Sequence, residues 1–136
     1  MRRLVVVLAG VTVLVAGGCG NRADDLFEVE RSGSIPGAEL RIVVSDDGTV
    51  RCNGAAPKHM GDPRLLTART LQRELEDRAR GNKRLRRGTR SVLSYVVRLP
   101  SGTLTYSDSS VGQSQAMQQL QGFTRDVAQH VCGFAR

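Results

Sequence analysis

The stretch Val92-Leu93-Ser94-Tyr95-Val96-Val97-Arg98-Leu99 sets the architecture of this chain. Leu93, Tyr95, Val97 and Leu99 fall on one side and Ser94, Val96 and Arg98 on the other, the two-residue period of a strand with one buried face. Pro100-Ser101-Gly102 turns the chain back, and Thr103 to Ser107 supplies a partner with Leu104 and Tyr106 on one side. A hairpin with one apolar face has to bury it against another layer. Two segments have the period to provide that layer. Past the polar loop Asp108 to Gly112, Ala116, Leu120, Phe123, Val127 and Val131 form a stripe from Ser114 to Cys132, and Gly133 stops the helix. Upstream, Asp62-Pro63 reads as an N-cap and a first-turn proline. Leu65, Ala68, Leu71, Leu75 and Ala79 then make the apolar face of a helix closed by Gly81-Asn82.

Nearer the N-terminus the period returns to two. In Leu26 to Arg31, Phe27 and Val29 face one way and Glu28 and Glu30 the other. Ser32-Gly33-Ser34-Ile35-Pro36-Gly37 interrupts that strand and reverses the chain into Glu39 to Ser45, where Leu40, Ile42 and Val44 share a face. Asp46-Asp47-Gly48 is a hairpin signal leading to Thr49–Cys52, and Asn53 to Gly61 has loop composition. The order βββαββα predicts a single α+β domain over residues 26–136, an antiparallel sheet of about five strands with two helices packed on one face. No repeat of solenoid type is present.

The first residues carry a different signal. Arg2 and Arg3 precede an apolar run from Leu4 to Ala16, and Gly17-Gly18-Cys19 closes it, the order of a secretory signal. Thirteen helical residues span only about 20 Å, short of the roughly 30 Å hydrocarbon core of a bilayer. The motif Ala16-Gly17-Gly18-Cys19 resembles a bacterial lipoprotein signal, with Ala16 where that pattern usually carries leucine or valine. The resemblance implies cleavage after residue 18, a palmitate-type acyl chain on Cys19, and a location on the outer face of the cell membrane. The competing reading is ordinary cleavage near Gly18 with Cys19 left as a thiol. Under the first reading, residues 1–18 are the signal peptide and 19–25 a lipidated tether of small and polar residues. Counting cysteines favours the lipid, because removing Cys19 leaves Cys52 and Cys132 to form one disulfide in an oxidising compartment.

The whole chain has a formal charge of +7, and loss of Arg2 and Arg3 leaves a mature protein that is still basic. The densest charge lies between Arg78 and Arg90, where seven of thirteen residues are basic and none acidic: Arg78, Arg80, Lys83, Arg84, Arg86, Arg87 and Arg90. A candidate role is contact with an anionic surface, either lipid headgroups or wall polymer. The competing role is a solvated helix end and loop whose cations suit the helix dipole. Nucleic acid is disfavoured by the compartment. Carbohydrate loses ground because there is no tryptophan and only five Phe plus Tyr residues.

No nucleophile elbow, His-Glu-x-x-His helix or phosphate loop occurs, so no catalytic residue is assigned and no cofactor is expected. Asp24-Asp25 and Asp46-Asp47 read as solvated loop pairs. A metal site from Cys52, His59, His130 and Cys132 is disfavoured because His130 and Cys132, two apart on a helix, point about 200° apart. The stretch Phe27-Glu28-Val29-Glu30-Arg31-Ser32-Gly33, entering a turn and a second strand, is similar to the start of the emfourin family of protein inhibitors of thermolysin-like metalloproteases. Ser34 stands where a second glycine is expected, and no inhibitory residue carries over. The expectation is a non-enzymatic, membrane-anchored binding domain with a possible protein partner, and the alternative is an emfourin-like inhibitor.

Overall fold

The computed structural model describes residues 24–135. Six strands and two helices follow in the order β1 (Asp25–Gly33), β2 (Leu40–Ser45), β3 (Thr49–Cys52), β4 (Lys58–His59), α1 (Asp62–Ala79), β5 (Leu93–Leu99), β6 (Gly102–Ser107) and α2 (Gln115–His130). All strands belong to one antiparallel sheet in the order β4-β3-β2-β1-β5-β6. The N-terminal meander and the later hairpin therefore join through β1 and β5, with Val29 opposite Val97 and Arg31 opposite Tyr95.

The alternation that marks the strands is the alternation of burial. Phe27, Val29, Leu40, Ile42, Val44, Val50, Tyr95, Val97, Leu104 and Tyr106 are all buried on the face the helices cover. From the helices, Ala68, Leu71 and Leu75 of α1 and Met117, Leu120 and Val127 of α2 complete one continuous core. Phe123 meets Phe27 edge-on with ring centroids 6.0 Å apart. Burying each such large side chain removes roughly 1.5–3 kcal/mol of unfavourable hydration. The opposite face of the sheet carries charge instead: Glu28, Glu30, Arg41 and Arg98 pair across β1, β2 and β5.

The sheet has one strand more than the sequence pattern gives. Lys58 and His59, inside the segment of loop composition, pair with Val50 and Thr49. Two exposed residues are too few to show a period, so their pairing is decided by the neighbouring edge of β3. Strand β1 is also longer at both ends than its hydrophobic pattern. Asp25, placed in the tether by sequence, opens the strand, because its carboxylate accepts from Ser45 Oγ at 2.7 Å and pairs with Arg51 at 3.3 Å. At the other end Gly33 pairs with Leu93, and a side chain there would collide with the Val92 carbonyl. Helix α1 begins on Asp62 itself, with Gly61 at φ 87° as the cap residue, so Asp62 sits in the first turn instead of capping it. Helix α2 is capped by Ser114, where the sequence pattern starts it: Ser114 Oγ accepts from the Met117 amide at 3.2 Å.

Candidate functional site

The basic segment leaves α1 at Arg80 and runs along the outer edge of β6. Arg80 bridges to Gly102 antiparallel, and Arg84 bridges to Thr105 in the parallel sense. The Leu85 amide donates to the Thr105 carbonyl at 2.8 Å, and the Thr105 amide donates to the Lys83 carbonyl at 3.0 Å. Leu85 is half-buried and packs on the core, which fixes the segment to the fold. Further along, the Gly88 amide donates to Ser107 Oγ at 3.2 Å. The turn at Gly102 lies so close to the end of α1 that a Cβ there would collide with the Ala79 carbonyl. Its φ of 151° also suits glycine.

Along this stretch Arg78, Arg80, Lys83, Arg84, Arg86, Arg87 and Arg90 are all exposed. Among the described residues, Asp77 is the one carboxylate in ion-pair contact with them, 3.2 Å from Arg80 Nε. Arg87 is held by hydrogen bonds to Ser94 Oγ and the Ser91 carbonyl, at 3.0 and 3.1 Å. The nearby acidic groups serve the backbone. Glu76 accepts from the Ser101 amide, and Asp108 accepts from the Val92 and Leu93 amides. A sheet edge that would otherwise offer unpaired backbone groups is thus covered by a row of positive charge.

Cys52 and Cys132 form the disulfide, with Cα atoms 5.9 Å apart and a separation of 80 positions in sequence. It ties the end of β3 to the segment just past α2. Cys19, the candidate lipidation residue, lies outside the described residues. Both acidic pairs seen in the sequence have structural partners. Besides Asp25, Asp46 accepts from Arg69 Nε at 2.7 Å, and Asp47 from the Thr49 amide and hydroxyl. The Thr49 hydroxyl, then its amide, holds the Asp47 carboxyl below the usual range. His59 is exposed on β4, and His130 Nδ1 lies 2.9 Å from Asp126 Oδ1. Among the described residues no three of His, Cys, Asp or Glu gather to hold a metal.

Two features escaped the sequence reading. Asp126 of α2 binds Arg64 of α1 at 2.6 Å and clamps the two helices together, and the Arg64 hydrogen bond depresses its carboxyl. Arg31 occupies the inward side of β1, next in line after Phe27 and Val29, and is 5% exposed. Its Nε donates to the Ala38 carbonyl at 2.9 Å and its Nη2 to the Gly37 carbonyl at 3.0 Å. Burial lowers the pKa of this guanidinium from its ordinary value. The same alternation that revealed β1 places position 31 on the apolar face, so the signal was present in the sequence. Arg31 thereby braces the exposed loop Ser32 to Gly37, whose Ser34 amide also donates to the Val92 carbonyl at 3.1 Å.

Two open grooves lie away from the basic edge. One, of about 620 Å³, runs between the helices and includes Leu66, Thr70 and Phe123; the other, of about 630 Å³, lies between Pro36, Asn53 and Phe134. The first also has Thr67, Gln119 and Asp126 along its wall, and the second Glu39. The fold and its surface define a two-layer α+β domain with a cationic sheet edge. No known protein family, curated protein or solved structure matches the chain.

Proposed function

We propose that this protein is an exported lipoprotein, anchored by an acyl chain on Cys19 to the outer face of the bacterial membrane, and that its domain works by binding. The observation that carries this reading is the disulfide. Cys52 and Cys132 consume each other, which leaves Cys19 as the remaining cysteine of the three, placed directly after the apolar segment. Disulfides persist in oxidising compartments, so the bond supports export as well. The basic edge supports a role at an anionic surface. The test is the mass of the Cys19-containing peptide from membrane-extracted protein, alongside Cys19→Ser. A diacylglycerol-type mass increase that Cys19→Ser abolishes is expected. An unmodified Cys19, or full membrane retention by the Cys19→Ser protein, overturns the anchor. Turnover of a substrate abolished by one surface substitution overturns the binding role.

The bracing of the Ser32 to Gly37 loop favours a second reading, a protein-inhibitor function of the emfourin type. Protein inhibitors gain affinity from loops fixed before binding, and Arg31 holds the far end of this loop by two hydrogen bonds. Titration of the protein against thermolysin-like proteases tests it, with slowed hydrolysis as the expected result and no slowing at micromolar protein as the refutation.

A further inference from the structure

We infer that the domain sits edge-on to the membrane, with the β6 edge and the cations along it and at its two ends seated on anionic lipid headgroups. This rests on the lipid anchor proposed above and adds an orientation and a ligand class to it. The argument begins with register. Glu28 pairs with Arg98 and Leu99 with Gly102, so the start of β1 at Asp25 points toward the same end of the sheet as the Pro100 to Gly102 turn. Arg80, bridged to Gly102, is at that end too. The tether and the beginning of the basic row are therefore level with each other.

The distance between them is short. From β1, the next neighbours are β5, then β6, then the basic segment, three steps at about 4.8 Å, or roughly 14 Å. The six steps from Cys19 to the start of β1 at Asp25 reach at most about 3.5 Å each, roughly 21 Å in all. An acyl chain on Cys19 can stay in the bilayer while Arg78, Arg80 and Lys83 touch headgroups. It cannot lift the domain far away.

From Gly102 to Ser107 the segment follows β6 for about 17 Å, carrying Lys83 and Arg84 midway and Arg86 and Arg87 toward Ser107. Arg90 lies beyond that end. Such an exposed row along a sheet edge matches a flat anionic surface. A small anion or an acidic peptide would be better served by a cleft, and the two open grooves described above lie elsewhere. The carboxylates nearest the row, Asp77, Glu76 and Asp108, are already engaged by Arg80, Ser101 and the Val92 and Leu93 amides. Three carboxylates against seven cations leave a net positive charge on this edge.

The row is itself a ladder of trypsin sites, which supplies the test. Membrane-extracted full-chain protein is reconstituted into vesicles of phosphatidylcholine alone and of phosphatidylcholine mixed with phosphatidylglycerol, and cleavage between Arg78 and Arg90 is followed by mass. Cleavage is expected to be at least about tenfold slower on the phosphatidylglycerol vesicles, with protection lost in high salt and in an Arg84→Glu/Arg86→Glu/Arg87→Glu variant. These three side chains are exposed, and circular dichroism of the variant checks that it folds. Equal cleavage on both vesicles overturns the inference, as does protection that survives high salt. So does protection by soluble polyglutamate without protection by the vesicles. The Cys19 peptide mass is read from the same digest, so a missing anchor is distinguished from a lipidated protein whose edge does not seat.

Discussion

Arg98 of β5 stands directly opposite Glu28 of β1 in the register of the sheet, and its Nη1 lies 2.9 Å from the Glu28 carboxylate. Arg41 reaches the same carboxylate from β2 at 3.0 Å, so one acidic side chain joins three strands on the uncovered face. The Arg41 hydrogen bond leads the effects that hold the Glu28 carboxyl below its ordinary value of 4.5, outweighing the opposing effect of burial. A carboxyl depressed by folding contributes stability above its unfolded pKa and loses it as pH falls through the folded value. A double-mutant cycle of Glu28→Gln and Arg98→Gln is expected to show a coupling of about 0.5–1 kcal/mol at neutral pH, smaller in high salt. Urea unfolding at neutral pH and well below the carboxylate range measures it. Coupling that persists unchanged in acid refutes the assignment.

Reducing the Cys52–Cys132 bond frees a long loop in the unfolded chain. In the loop-entropy account, closure over 80 residues stabilises by about 4.5 kcal/mol, and removal of native disulfides from small domains commonly costs about 2–5 kcal/mol. The Cys52→Ala/Cys132→Ala protein is expected to unfold at markedly lower urea than wild type. A midpoint unchanged within error contradicts a structural role for the bond.

Thr124 is fully buried on α2, and its hydroxyl finds no hydrogen-bond partner among the described residues. A buried hydroxyl without a partner costs desolvation that a methyl group does not. Thr124→Val keeps the branched shape and is expected to raise stability by about 0.5–2 kcal/mol in urea or thermal unfolding. A loss of stability would show that the hydroxyl is satisfied in solution.

Replacing Arg31 with methionine keeps an apolar stem but removes both donors to Gly37 and Ala38. Leaving two acceptors underserved near the core is expected to cost about 1–3 kcal/mol. Amide exchange in the loop from Ser32 to Ala38 should rise well above that of β5, because the brace acts locally. Uniform acceleration through the sheet would instead mark Arg31 as a general core residue. If the loop is the inhibitory element, the same variant weakens inhibition while the disulfide stays intact.

Much of this architecture is written in side-chain period. Phe27, Val29, Tyr95 and Val97 alternate because successive strand residues point to opposite faces, and that geometry is local enough to read from the chain. The two helices, the tight turn at Gly48 and the pairing of Cys52 with Cys132 follow from equally local signals or from counting. Strand β4 is different. Lys58 and His59 carry no period, and only the free edge of β3 makes a strand of them.

The candidate site divides along the same line. Seven cations between Arg78 and Arg90 are evident from composition, and so is the apolar segment ending at Cys19. That the cations form an ordered row depends on Lys83 and Leu85 bonding to Thr105, some twenty residues away, and on Gly102 admitting the end of α1. Composition specifies how much charge a segment carries. Where that charge points is set by long-range backbone pairing, which the segment's own residues do not encode.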